Sequence, residues 1–120
     1  DLHYGRDALV GIALFLSHFA KMNLSMSELK KSYPNYTISK NKIELTPTTN
    51  IDELLKKIAN KYSDTEQNSI DGLKLDFENE WVHLRKSNTE PIIRIYAESE
   101  NKDKAHALGE RFIKELSELM

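Results

Sequence analysis

An α+β fold is predicted for this chain, and three observations predict it. Apolar and polar residues alternate with a period of two over 73–77, 82–85 and 92–97, as half-buried strands require. Apolar stripes at helical spacing run through 51–62 and 105–119. The links between the three strands are too short to join parallel neighbours, so the strands are antiparallel and the helices stand outside them in the chain.

The first element is a helix from Asp7 to Met22. Leu9, Ile12, Ala13, Leu16, Phe19 and Ala20 form one stripe, and Val10, Leu14 and Phe15 fill the other faces. A helix apolar nearly all round must be buried on most sides, whereas the later helices each show a single apolar face. The helix is therefore expected to belong to a larger domain that this chain does not contain; the alternative is the central helix of a small bundle. Asp7 reads as an N-terminal helix residue. Ser25-Met26-Ser27-Glu28 is a capping-box pattern opening a short helix that Pro34 stops, and residues 1–35 are expected to form one unit.

Residues 36–120 are expected to form the second. Tyr36 and Ile38, then Ile43 and Leu45, flank Lys40-Asn41-Lys42 and read as one strand or two short ones, broken by Pro47. From Asn50 to Tyr62, Ile51, Leu54, Leu55, Ile58, Ala59 and Tyr62 share a face, with Asn50 and Glu53 placed as cap and reciprocal partner. Asp64 to Ser69 reads as polar loop. Leu73, Leu75 and Phe77 form a strand that turns through Glu78-Asn79-Glu80 into a second strand with Val82 and Leu84. In the third, Ile93, Ile95 and Ala97 lie on one face and Ile92, Arg94 and Tyr96 on the other. Asn101 caps a last helix whose stripe is Ala105, Leu108, Phe112, Leu116 and Leu119.

Composition narrows the function. A hydrophobic share of 39% and a charged share of 30% in 120 residues describe one folded domain, or one domain with a piece of another. The net charge of −2 supplies no general basic field, which argues against nucleic acid or an anionic membrane as partner. Any anion site must be local. Absence of cysteine removes disulfides and thiolate metal sites and fits the cytoplasm. The most apolar run, Ala8 to Ala20, is shorter than the ~20 residues a membrane-spanning helix needs. With Asp1 in place of a basic start or an initiator Met, no secretory signal is expected, and residue 1 reads as a boundary or processing point.

The chemistry concentrates in Arg85-Lys86-Ser87-Asn88-Thr89-Glu90-Pro91-Ile92-Ile93-Arg94, which links two predicted strands. Two guanidiniums supply planar forks that match phosphate oxygens and stay charged at any working pH. Ser87, Asn88 and Thr89 add neutral donors, and the turn itself aims backbone N–H groups into a concavity that Pro91, lacking an N–H, closes. Glu90 would be repelled by a phosphate, so its expected place is behind the site, accepting from a backbone N–H or holding an arginine. Against this phosphate cradle stands a plain polar hairpin turn with a surface ion pair. The symmetric bracketing of the turn by Arg85 and Arg94 favours the cradle.

Asp71-Gly72-Leu73-Lys74, Trp81-Val82, and Arg85 through Pro91 with Arg94, in that order and spacing, resemble the C-terminal domain of the phosphohexomutases, the phosphoglucomutase/phosphomannomutase family. The resemblance spans roughly residues 36–120, while the stretch from Asp1 to Pro34 looks like the tail of that family's third domain, a helical remnant of an α/β domain. It implies a TATA-binding-protein-like fold, an antiparallel sheet with helices packed on it. The implied parent is a four-domain, magnesium-dependent enzyme that moves a phosphoryl group between positions 1 and 6 of a hexose through a phosphoserine and a bisphosphorylated sugar.

Carried over, the ligands of the non-reacting phosphate are Arg85, Ser87, Asn88, Thr89 and Arg94. The family's serine, magnesium and sugar-reading loops match nothing in this chain, so no residue here is assigned to catalysis or to a metal, and the chain alone is expected to be inactive. The implied substrates are glucose 1-phosphate, glucose 6-phosphate and mannose phosphates. Within the family a phosphoglucosamine mutase is the alternative, for which Ser-Gly-Thr would be expected; Asn88 in Ser87-Asn88-Thr89 points instead to glucose or mannose. An alternative from another class is a non-catalytic module that captures a phosphopeptide or a nucleic-acid end on the same loop.

The remaining candidates carry less. His3, His18, His83 and His106 are scattered without a ligand spacing, and only His83, alternating onto the face of Arg85, is close to the loop. Trp81 reads as a sheet-packing residue, since single-strand binding needs a basic groove that the sequence lacks. No Ser/His/Asp or glycine-rich phosphate-loop pattern occurs.

Overall fold

The computed structural model describes residues 7–46 and 49–120. It divides into two units between Pro34 and Asn35. In the first, α1 (Ala8–Met22) starts at Asp7, whose Oδ1 accepts the Val10 N–H at 3.0 Å. It ends at Asn23, which sits at φ 50 in the left-handed region that asparagine tolerates. No α1 residue is buried; Leu9 is 78% and Leu14 67% exposed.

At a bend of 96° follows α2 (Met26–Ser32), opened by the capping box. Ser25 Oγ accepts the Glu28 N–H at 3.3 Å and the Glu28 carboxylate accepts the Ser25 N–H at 2.8 Å. The Ser25 hydroxyl and then its backbone N–H hold the Glu28 carboxyl below its usual range. Among the described residues no single helix is long and apolar enough to cross a membrane. Residues 1–6, with His3, and residues 47 and 48, with the strand-breaking Pro47, lie outside the described residues.

The second unit is an α+β domain. Its strands β1 (Thr37–Glu44), β2 (Glu66–Asn68), β3 (Leu73–Asp76), β4 (Trp81–Lys86) and β5 (Ile92–Ser99) form one antiparallel sheet in the order β1-β5-β4-β3-β2. The run from β2 to β5 is a meander, and β1 is added at the far edge beside β5. The helix α3 (Ile51–Lys61) crosses from one edge of the sheet to the other, and α4 (Lys102–Leu119) lies over β1 and β5. Both helices cover the same face. Leu54 and Ile58 from α3 and Leu108, Phe112 and Leu116 from α4 close a core over Leu73, Leu75, Val82, Leu84, Ile93, Ile95 and Ala97. The period of two sends every other side chain to the opposite face, where this unit places no helix.

Both helices start at their expected caps, with Asn50 Oδ1 accepting the Glu53 N–H at 3.3 Å and Asn101 Oδ1 the Lys104 N–H at 3.0 Å, but among the described residues the Glu53 carboxylate makes no reciprocal bond to the Asn50 N–H. A seam joins their far ends. The Tyr62 hydroxyl donates to Glu115 Oε1 at 2.7 Å, its ring meets Phe112 at 5.4 Å, and Lys61 Nζ stands 3.0 Å from Glu115 Oε2. Burial, followed by the bond to Glu115, pushes the Tyr62 phenol up to about 12.

Two expectations are corrected, and one left open between alternatives is decided. The polar loop at 64–69 contains β2, paired to β3 as an exposed edge strand with no apolar face to bury. Its Gln67 serves α3 instead, donating from Nε2 to the Ala59 and Tyr62 carbonyls at 2.9 and 2.7 Å, where the helix leaves acceptors unpaired. The segment around Lys40-Asn41-Lys42 is one continuous strand, and the face it turns toward α4 carries Thr37, Ser39 and Asn41, while Ile38 is exposed. Gly109 faces that strand closely: a Cβ there would stand 2.5 Å from Asn41 Nδ2, so the Asn41 side chain as placed uses the space that glycine leaves. Leu119, placed in the α4 stripe, is 36% exposed in the last turn.

Candidate functional site

The loop joining β4 to β5 runs from Ser87 to Pro91 at one end of the sheet. It is tied down on both sides. The Ser87 N–H donates to the Ile92 carbonyl at 3.0 Å, the Ile92 N–H to the Glu90 carbonyl at 2.8 Å, and the Leu45 N–H, beyond β1, to the Pro91 carbonyl at 2.8 Å. Among the described residues the N–H groups of Asn88 and Glu90 keep no such partner. Ser87 is buried, and its Oγ and Thr89 Oγ1 stand 3.5 Å apart. That separation exceeds the usual hydroxyl range, so each hydroxyl can turn to a third oxygen.

Register sets the charges. Arg85 pairs directly with Arg94 across β4 and β5, and Arg94 with Lys42 across β5 and β1. Three cations thus form one row on the face without helices. Like charges directly opposed in a sheet are unfavourable unless anions lie among them. Two carboxylates stand on the flanks: Glu90 Oε2 is 3.6 Å from Arg94 Nη2, and Asp71 Oδ2 is 3.0 Å from Arg85 Nε.

Arg85, Ser87, Asn88, Thr89 and Arg94, all five named from sequence, line one cavity of about 190 Å³ together with Lys86. Glu90 stands outside it, with Oε2 near Arg94 Nη2. Sequence reasoning missed Lys42 and Asp71. Nothing local marks Lys42, because only the β1–β5 register brings it into the row. Asp71 had a signal in the Asp-Gly step before a strand, which places a carboxylate at a turn.

Other features fall outside this cavity. His83 Nε2 lies 2.5 Å from the Asp71 carbonyl on the same face as Arg85. His18 and His106 are exposed on helices. Trp81 also lies on the open face, its indole N–H donating to Glu98 Oε1 at 2.9 Å and Lys74 Nζ standing 5.3 Å from the ring centre. A larger cleft of about 490 Å³ lies between the β3–β4 turn and α4, but Glu78, Glu80 and Glu100 line it beside Lys104 and Arg111, a mixed-charge wall unsuited to an anion. Among the described residues no group of three or more His, Asp or Glu is placed to hold a metal.

Residues 39–115 match the family profile described as "Phosphoglucomutase/phosphomannomutase, C-terminal domain". The chain belongs to the phosphoglucomutase/phosphomannomutase family. The matched stretch contains the cavity, the three-cation row and both carboxylates.

Among curated members, a phosphoglucosamine/phosphogalactosamine mutase of Sulfurisphaera tokodaii is 39% identical over 88% of this chain and 24% of its own length. A phosphoglucomutase/phosphomannomutase of Thermococcus kodakarensis is 34% identical over 100% of this chain and 26% of its own. The chain therefore spans about a quarter of the length of these phosphoglucomutase/phosphomannomutase relatives. A crystal structure of a family protein from Burkholderia thailandensis superposes with a TM-score of 0.54 over 75% of this chain and 19% of its own, at 23% identity, and shares the fold.

Proposed function

We propose that the β4–β5 cavity grips the phosphate of a hexose phosphate, and that the chain is the phosphate-holding part of a phosphohexomutase. One observation carries this reading: Arg85 and Arg94 oppose each other in register above a loop of hydroxyls and unpaired N–H groups. A phosphate brings up to two negative charges and acceptor oxygens to a place where two guanidiniums otherwise repel. Its size suits a cavity of about 190 Å³, which is below the ~300 Å³ of common organic-ligand pockets.

In the parent reaction a phosphoryl group moves between positions 1 and 6 of the sugar, and this domain holds the phosphate that is not reacting. Fixed donors then supply orientation rather than bond-making. The magnesium ion implied for the parent enzyme would be held by residues outside this chain and would supply positive charge to the reacting phosphoryl group. The carboxylate-poor cavity, lined by two arginines and a lysine, is suited to an anion and not to a cation. On this reading residues 1–35 are the end of the preceding domain, and the exposed apolar surface of α1 meets the rest of that domain. The relatives' names include glucosamine, glucose and mannose phosphates, and Asn88 is our reason for favouring the last two.

Titration of the labelled chain at low salt with glucose 1-phosphate, mannose 1-phosphate, inorganic phosphate and a phosphoserine peptide tests the proposal. Sugar phosphates should shift the resonances of Arg85 to Thr89 saturably, and Arg85→Ala should remove the response. A folded chain with no response sinks the reading; a phosphopeptide that binds far better than any sugar phosphate replaces it with a non-catalytic module.

A further inference from the structure

Arg85 lies at the end of β4 with its side chain half exposed, and its own strand does not fix where the guanidinium points. A residue from the β2–β3 link does. Asp71 Oδ2 stands 3.0 Å from Arg85 Nε, the inner nitrogen of the planar fork. This ion pair draws the inner side of the guanidinium to the link, and among the described residues its Nη1 and Nη2 end makes no ion pair or hydrogen bond to protein. We infer that Asp71 is a positioning residue for the phosphate site: it orients Arg85 toward the ligand while standing outside the cavity itself. The inference rests on the phosphate reading of that cavity.

Backbone contacts put Asp71 in place independently of its carboxylate. His83 Nε2 lies 2.5 Å from the Asp71 carbonyl, and the Ile70 N–H donates to Asn68 Oδ1 at 3.0 Å, which turns the link back toward the sheet. Gly72 adopts φ +87, and a Cβ on it would stand 2.2 Å from the Leu84 carbonyl oxygen, so the link lies directly against β4. The Asp71–Arg85 pair is 58% and 48% exposed at its two side chains, and a pair so wet contributes little to folding. Its effect is on direction. Glu90 stands near Arg94 in the same sense but at 3.6 Å, so the closer grip is on Arg85.

Charge and positioning give opposite signs for the same substitution. A carboxylate near an anion site repels the anion, so by charge alone Asp71→Asn should tighten phosphate binding. If Asp71 holds the fork, Asp71→Asn should loosen it. Inorganic phosphate and glucose 1-phosphate are titrated into the unaltered chain, Asp71→Asn, Asp71→Glu, Arg85→Lys and the Asp71→Asn/Arg85→Lys double variant, following residues 87–90.

The expected result is an affinity about threefold to tenfold weaker for Asp71→Asn, partial recovery in Asp71→Glu, and no further loss when Asp71→Asn is added to Arg85→Lys, which has no fork to hold. Equal or tighter binding by Asp71→Asn overturns the inference, as does an equal loss in the Arg85→Lys background. If Asp71→Asn disturbs the link before ligand is added, Asp71→Glu decides, and failure to recover counts against the inference. An unaltered chain that binds neither ligand brings down the phosphate reading and this inference together; one that binds, with Asp71→Asn unchanged, removes only the inference.

Discussion

The two faces of the sheet divide the work of the second unit. Under α3 and α4, Leu73, Leu75, Val82, Leu84, Ile93, Ile95 and Ala97 are aliphatic and buried, and the face holds the fold together. Across the same strands, offset by one residue, lie Lys74, His83, Arg85, Arg94 and Tyr96, all partly exposed, with ion pairs and polar contacts among them and their neighbours. Burial stabilises in proportion to the apolar area removed from water, whereas exposed ion pairs add little. Stability and ligand chemistry should therefore be separable by substitution, one residue apart on one strand.

The largest expected effect lies wholly on the covered face. Phe112, fully buried against Tyr62 and Phe77, should cost about 3–5 kcal/mol on replacement by alanine, read as a fall in the urea midpoint. Gly72→Ala should break the division. It forces a side chain onto φ +87 and against the Leu84 carbonyl, costing about 2–4 kcal/mol of stability, and it displaces the link that carries Asp71, so chemical denaturation and phosphate titration should both respond.

Arg85→Ala should sharpen it. Loss of a charged donor should weaken phosphate binding by about 1.5–3 kcal/mol while the urea midpoint stays near that of the parent chain. A midpoint that falls with the affinity would show that the faces are coupled. Ser87→Ala, removing one neutral hydroxyl, should weaken binding by about 0.5–1.5 kcal/mol in the same titration.

The last effect is a matter of pH and belongs to the covered side. The Tyr62 phenol titrates at about 12 in the folded chain, above its ordinary 10.0, so the folded state holds this proton more tightly than the unfolded one. Its contribution is complete below pH 10.0 and is lost as pH rises toward 12. Tyrosinate absorbance should show one late-titrating tyrosine that Tyr62→Phe removes, and that variant should lose less stability than the parent between those limits. An ordinary titration of all tyrosines would exclude the seam with Glu115.

Periodicity made the covered face legible. Leu73, Leu75, Val82, Leu84, Ile93 and Ile95 announce both the strands and the side they bury, and Asn50 and Asn101 announce where the helices begin. The loop was legible for another reason, since five residues of the right chemistry are adjacent or nearly so in the chain. What escaped needed register. Glu66-Gln67-Asn68 has no apolar alternation because an edge strand exposed on both sides buries nothing, and the polar inner face of β1 packs close to Gly109 in a helix far along the chain. Asp71 meets Arg85, and Lys42 meets Arg94, through strand pairing that no local pattern encodes.

The order β1-β5-β4-β3-β2 also sets a sequence of events in folding. The meander from β2 to β5 can zip through short links, but β1 must wait for a partner that follows it by most of the unit, and closing so long a loop is slow. Until then an unpaired strand edge is open to other chains. Lys40 and Lys42 on its exposed side discourage such pairing. Because the Leu45 N–H reaches the Pro91 carbonyl only once β1 has docked, the loop acquires its last tether at the end of folding, and the grip on an anion should mature after the core has formed.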